Sequence, residues 1–156
     1  MSHEYTYDIS MFRDTFETRF TYLNGFLRNV SRFGSRPALF DPHSGRRWTY
    51  RELNAEANRL AHALRADGVG KNDVVMFTLL NSPEFVFCYL AAHKIGAIAC
   101  PVNYRQGAGE IALVIDDSTP KAFIYDAEFG ELSGGALDLC ESKDRKSTRL
   151  NSSHES

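Results

Sequence analysis

The chain has 156 residues, 43% of them hydrophobic and 24% charged, with a formal charge of −2. That composition fits one soluble globular domain with a small core, and so weak a charge excludes electrostatic steering of nucleic acid. The longest unbroken apolar run, Phe85 to Ala92, is too short to span a bilayer, and an N-terminus carrying Glu4 and Asp8 without an apolar stretch is no secretory signal.

Residues 1–19 have mixed polarity and no period, and read as an irregular lead-in. From Phe20 onward, Leu23, Phe26, Leu27, Val30 and Phe33 recur at helical spacing. Gly34 follows as a candidate left-handed stop. Ala38–Phe40 and Arg46–Tyr50 read as the arms of a hairpin around the turn residues Asp41 to Gly45. Thr49 and Glu52 have capping-box spacing. The helix they open places Leu53, Ala57, Leu60, Ala61 and Leu64 on one face and stops at Gly68.

Val74–Leu80 is almost wholly apolar, the pattern of a strand covered on both faces. Ser82 and Pro83 mark the start of a helix over 83–95, with Ser82 as its cap, and Gly96 ends it. Ala97–Val102 is the next strand, Gly109–Asp117 a short helix, Lys121–Tyr125 a further strand, and 127–142 a weak, frayed segment. Strands joined by helical crossovers run parallel. The predicted class is therefore α/β, a partial parallel sheet with flanking helices, preceded by a helix and a short hairpin.

Several junctions match one family residue by residue. They are Arg36-Pro37-Ala38-Leu39; Trp48-Thr49-Tyr50-Arg51-Glu52-Leu53 with Asn58-Arg59-Leu60-Ala61; Gly68-Val69-Gly70-Lys71-Asn72-Asp73-Val74-Val75; Asn81-Ser82-Pro83-Glu84-Phe85; Lys94-Ile95-Gly96-Ala97; and Pro101-Val102-Asn103-Tyr104-Arg105 with Glu110. In this order they resemble the N-terminal subdomain of an acyl-CoA synthetase of the AMP-forming, adenylate-forming ligase superfamily. The resemblance runs over about 20–130, and the subdomain is taken as 20–143. The polar run Asp144–His154 resembles an in-frame translation of a sequencing adapter, so 144–156 is expected to be a non-native or disordered tail and the natural sequence to differ beyond about residue 143.

The resemblance implies a parent that joins a carboxylate to the α-phosphate of ATP with loss of pyrophosphate, then transfers the acyl group to the thiol of coenzyme A with loss of AMP. Its cofactors would be ATP, Mg²⁺ and coenzyme A. The run Pro101-Val102-Asn103-Tyr104-Arg105 lacks the Asp-Pro of amino-acid-loading adenylation domains, which favours a fatty or aryl acid. The family's phosphate loop ending in Pro-Lys-Gly, its Tyr-Gly-x-Thr-Glu segment, its ribose-binding Asp and its C-terminal Lys have no counterpart in these residues. The fragment is therefore expected to bind no cofactor and to be inactive alone.

Each remaining candidate has a plainer reading. Ser133-Gly134-Gly135 is followed by Ala136-Leu137-Asp138 and is not a phosphate loop. His62 and His93 are solvated or packed histidines of amphipathic helices, not metal ligands. Asp116-Asp117 ends a helix and caps a turn. Tyr104 and Arg105 follow the carboxyl end of a parallel strand and border a substrate entrance or pack against further protein. Cys88, Cys100 and Cys140 have no metal spacing and read as reduced thiols of a cytoplasmic protein, with Cys88 and Cys100 as buried small hydrophobes. No catalytic, cofactor-binding or metal-ligating residue is therefore assigned. Two other readings stay open, a stand-alone α/β binding module without catalysis and a fragment of an amino-acid-loading adenylation domain. Open strand edges and the apolar helix 83–95 imply that the isolated piece self-associates.

Overall fold

The computed structural model describes residues 8–140 and the backbone of 146–150. Its N-terminus departs from the expected irregular lead-in. Ile9–Phe12 is helical (α1) and runs into a wider π-helical stretch, Arg13–Arg19. Asp8 starts it, its carboxylate accepting the Ser10 amide at 2.8 Å. Phe12, Phe16 and Phe20 then stack in sequence, with ring centroids 4.7 and 5.3 Å apart. A four-residue spacing lies close to one turn of the wide helix, so the three rings track one face. That periodicity is too short for an amphipathic pattern to register in the sequence.

Helix α2, Tyr22–Phe33, starts at Thr21, whose hydroxyl accepts the Asn24 amide, and buries Phe26. Gly34 follows it in right-handed geometry, so the expected left-handed stop is not used. What requires glycine there is space: a Cβ would lie 2.8 Å from the Val30 carbonyl oxygen and 3.2 Å from the Arg51 guanidinium. Strands β1 (Pro37–Phe40) and β2 (Arg47–Thr49) form the expected antiparallel hairpin, with Leu39 opposite Trp48. The Asp41 carboxylate organises its turn by accepting the amides of His43 and Ser44 and the Ser44 hydroxyl. Helix α3, Tyr50–Ala66, opens with the full capping box of Thr49 and Glu52 and buries Leu53, Ala57, Ala61 and Leu64.

The main sheet holds β3 (Val74–Thr78), β4 (Ile98–Pro101), β5 (Ala122–Asp126) and β6 (Lys146–Leu150), all parallel in the order β4-β3-β5-β6. The connecting helices are α4 (Pro83–Ile95), α5 (Ala108–Ser118) and α6 (Gly130–Leu139), the last preceded by a 3₁₀ turn at Ala127–Phe129. Ser82 holds the N-cap position of α4, yet its hydroxyl makes no capping bond, and Pro83 at the first helical position sets the start instead. The segment 127–142, expected to fray, contains the ordered helix α6. Packing of Ala136, with Leu132 and Leu137 beside it, into the cluster formed with α5 and the sheet outweighs the poor helix propensity of Gly130, Gly134 and Gly135.

Residues 146–150 lie in the run read as a non-native or disordered tail, and here they pair with β5 from Ala122↔Lys146 to Asp126↔Leu150. The sequence Lys-Ser-Thr-Arg-Leu lacks the apolar character of a buried parallel strand. The pairing uses backbone amides and carbonyls along the edge of β5, so it does not need apolar side chains on the added strand.

Alternation along the strands splits the core in two. Val75, Phe77, Ala122 and Ile124 meet α3 and α4 on one face. Met76 and Phe123 meet Ile111, Ile115 and Ala136 of α5 and α6 on the other. A third cluster, Phe26, Trp48, Leu53, Ala57 and Leu90, ties α2 and the hairpin to the outside of α3 and α4. The result is a three-layer α/β/α unit with a helix–hairpin cap.

Candidate functional site

The carboxyl ends of the parallel strands, where α/β sheets meet their ligands, are the place to look. Strand β3 ends in Thr78, fully buried, with a hydroxyl that has no hydrogen-bond partner among the described residues. Strand β4 leads into Val102, whose amide donates to the Phe77 carbonyl at 2.9 Å. A tight turn follows. The Asn103 side chain accepts the Arg105 amide at 3.0 Å, and the Asn103 carbonyl accepts the Gln106 amide at 3.1 Å. Strand β5 ends in buried Asp126, whose carboxylate accepts the Glu128 amide and caps the 3₁₀ turn.

These turns meet across the sheet. Tyr104 stacks on Phe129 at 5.3 Å with 16° between the rings, and the Arg105 guanidinium carbon lies 5.6 Å from the Tyr104 centroid. The Arg105–Tyr104–Phe129 stack thus joins the turn after β4 to the turn after β5, the two strands that flank β3. Sequence reading picks out Tyr104 and Arg105 but not Phe129 or Thr78. Phe129 sits in a segment without period. Thr78 has a signal in hindsight, as the polar residue closing an apolar strand.

The other candidates are placed as structural residues. Ser133-Gly134-Gly135 lies inside α6, with Ser133 fully buried, so its backbone amides serve the helix and form no cradle. His93 packs edge-on to Tyr22 and Tyr89 at 5.8 and 5.9 Å, and His62 is exposed on α3. Asp116 and Asp117 lie within the last turn of α5, and Thr119, with φ 43°, ends that helix in place of the expected aspartate cap. Burial, with a smaller push from the Glu84 carboxylate, raises the Cys88 thiol to about 12. Half-buried Cys100 is also raised by burial, and the buried Cys140 thiol lies 3.0 Å from the Ala136 carbonyl. Burial therefore keeps Cys88 protonated at neutral pH and disfavours the Cys100 thiolate.

One partly buried cation lies outside all these candidates. Lys94 on α4 donates to the Asn54 side chain at 2.7 Å, and burial lowers its pKa. It joins α4 to α3 and faces away from the carboxyl edge of the sheet.

Among the described residues there is no group of three or more His, Cys, Asp or Glu placed to hold a metal ion, and the Ser133-Gly134-Gly135 run is helical. No described helix is long and apolar enough to cross a membrane.

A parallel sheet layered by helices on both faces, with its turns gathered at the carboxyl edge, defines the class of layered α/β proteins. Within that class, residues 26–155 match the family described as AMP-binding enzyme, and the chain belongs to that family. It is 48% identical over 81 residues to a 3-hydroxybenzoate–CoA/4-hydroxybenzoate–CoA ligase of Thauera aromatica, covering 52% of this chain and 16% of that protein. It is 41% identical over 90 residues to the long-chain-fatty-acid–CoA ligase FadD13 of Mycobacterium tuberculosis, covering 58% of this chain and 18% of that one. Among solved structures, a putative long-chain-fatty-acid CoA ligase from Rhodopseudomonas palustris superposes with a TM-score of 0.76 at 33% identity, over 85% of this chain and 33% of that one. The chain thus spans about a sixth of the length of the curated relatives it matches.

Proposed function

We propose that the chain is the N-terminal part of an acid–thiol ligase that uses ATP to activate a fatty or aryl carboxylic acid and passes the acyl group to coenzyme A. The observation that carries this reading is the family match over 26–155, together with relatives whose names are those of aryl- and fatty-acid–CoA ligases. Within that enzyme this piece is scaffold. It supplies the sheet, its flanking helices and the Tyr104–Phe129 bridge, while phosphate-binding groups come from sequence that it does not contain. The 156 residues alone therefore neither bind ATP nor turn over. Cys88, Cys100 and Cys140 as reduced thiols support a reducing, cytoplasmic setting.

The deciding experiment reads the genomic frame beyond residue 143, expresses the longer protein and measures AMP release with fatty, aryl and amino acids. Release that needs both a fatty or aryl acid and coenzyme A supports the proposal. Exchange driven by an amino acid without coenzyme A replaces it with an amino-acid-loading domain, and a natural stop codon near residue 143 replaces it with a stand-alone module. Titration calorimetry of the 156-residue chain with ATP and Mg²⁺ should give no heat of binding, and micromolar affinity contradicts the scaffold role. The same chain self-associates through the open β4 edge, where Ile98 is 53% exposed. A sharp monomer in light scattering at micromolar concentration counts against that.

A further inference from the structure

The chain is weakly acidic overall, but its charge is unevenly placed. Between residues 20 and 51 there are six arginines and one acidic residue, Asp41. Asp41 is buried, and its carboxylate is occupied by the turn. The remaining sequence holds twelve basic residues against nineteen acidic ones.

Four of the arginines gather on one surface. Arg28 and Arg32 lie one turn apart on α2, and the Arg32 and Arg36 guanidinium carbons lie 6.0 and 5.2 Å from the same Phe33 ring. Arg51 is joined to them through the backbone, its amide donating to the Gly34 carbonyl at 3.0 Å, next to the Tyr50 amide donating to the Arg36 carbonyl at 3.1 Å. All four side chains are exposed, and none forms an ion pair among the described residues.

This surface continues into an apolar one. Arg28 lies 5.6 Å from the Phe20 ring, and Phe20 is the last ring of the Phe12–Phe16–Phe20 stack. Phe16 and Phe20 are 51% and 61% exposed, and Ile9 and Met11 on the same helix are 62% and 68% exposed. The charges on that helix cancel locally, Arg13 pairing with Glu17 and Arg19 with Asp14.

We infer that this surface docks on an anionic phospholipid bilayer. The aromatic and aliphatic stripe enters the boundary between headgroups and acyl chains, and the unpaired guanidiniums of Arg28, Arg32, Arg36 and Arg51 hold lipid phosphates. Charge alone would equally suit a nucleic acid. Exposed Phe16 and Phe20, linked to the arginines through Arg28, have no role against a duplex and a direct one against acyl chains. Unpaired arginine on a helix end also fits a phosphate, which guanidinium grips in bidentate geometry. The net charge of the chain does not attract it to such a surface, so the contact depends on the orientation that presents this face.

The test sediments the 156-residue chain with vesicles of phosphatidylcholine alone and of equal parts phosphatidylcholine and phosphatidylglycerol. The proposal expects partition onto the anionic vesicles only, suppressed as salt shortens the screening length. Arg28→Gln, Arg32→Gln and Arg36→Gln together should weaken it by roughly 100-fold, about fivefold for each charge. Phe16→Ser should weaken it separately while leaving the melting temperature unchanged, since that ring covers no core. Equal partition onto neutral vesicles, no partition onto either, a triple variant that binds as the parent does, or tighter binding to duplex DNA than to vesicles each overturns the proposal. If the triple variant fails to fold, the salt series and Phe16→Ser still decide.

Discussion

Thr78→Val should stabilise this chain. Thr78 is fully buried at the carboxyl end of β3, and its hydroxyl has no partner among the described residues. A buried, unsatisfied hydroxyl costs about 1–3 kcal/mol. Valine keeps the shape and β-branching of the site and removes that cost, so a gain of about 1–2 kcal/mol is expected. Thr78→Ser is the counter-experiment. It keeps the hydroxyl and deletes the methyl, and should destabilise by about 1 kcal/mol. Urea unfolding followed by circular dichroism reads both. With a slope of about 2 kcal/mol/M, the midpoint should rise by about 0.5–1 M for valine and fall by about 0.5 M for serine, the slope itself staying constant. A valine variant destabilised by more than about 1 kcal/mol refutes the reasoning, because it means the hydroxyl is satisfied. In the longer ligase proposed above the sign becomes informative again. If Val gains stability in this chain and costs activity in that ligase, the hydroxyl meets its partner only when further sequence covers the edge.

Gly96 has φ 73° and a Cβ there would meet the Lys71 side chain at 3.2 Å, whereas Gly68, φ 86°, opens onto free space; both alanine variants should lose about 1–2 kcal/mol from backbone strain, Gly96→Ala the more, and thermal melts that rank them the other way contradict the geometry. The Asp41 carboxyl is held below the usual carboxylate range, first by the Ser44 hydroxyl, and Glu52 likewise, first by the Thr49 amide. A lowered folded value gives stabilisation that is complete above the unfolded value, near pH 4, and is lost as pH falls through the folded one. Melts from neutral to acid pH should therefore show a shallower acid limb in an Asp41→Asn, Glu52→Gln variant. Cys100 should react first with a thiol reagent in the native state, with Cys88 and Cys140 reacting only on unfolding; mass-mapped labelling that finds Cys88 modified first would disprove its burial.

Much of the architecture is legible in the sequence because its signals are local. The Thr49–Glu52 box, Pro83 at the start of α4 and Gly96 at its end each satisfy or interrupt backbone hydrogen bonds within a few residues. The β3, α4, β4, α5, β5 order follows from apolar runs alternating with helical faces. What the sequence conceals depends on distant contacts. Helix α6 exists because Ala136, Leu132 and Leu137 find a covered surface on α5, which no window around three glycines reports. Gly34 is needed because the Val30 carbonyl oxygen, and then the Arg51 guanidinium from another helix, crowd its Cα, and not for a left-handed turn. The hydroxyl of Ser82 occupies the position for a cap without capping, and Thr119 adopts a conformation that the adjacent aspartates were expected to arrange around. At the candidate site, Tyr104 and Arg105 stand out by following a parallel strand, whereas Phe129, their stacking partner, is separated from Tyr104 by two further elements.

The pairing of Lys146–Leu150 with β5 has a practical reach. The ladder runs over five residue pairs, so the stretch after α6 is gripped by its neighbour's backbone whatever side chains it carries. Slow amide exchange or protease resistance there would report that grip and not the character of the stretch's own side chains.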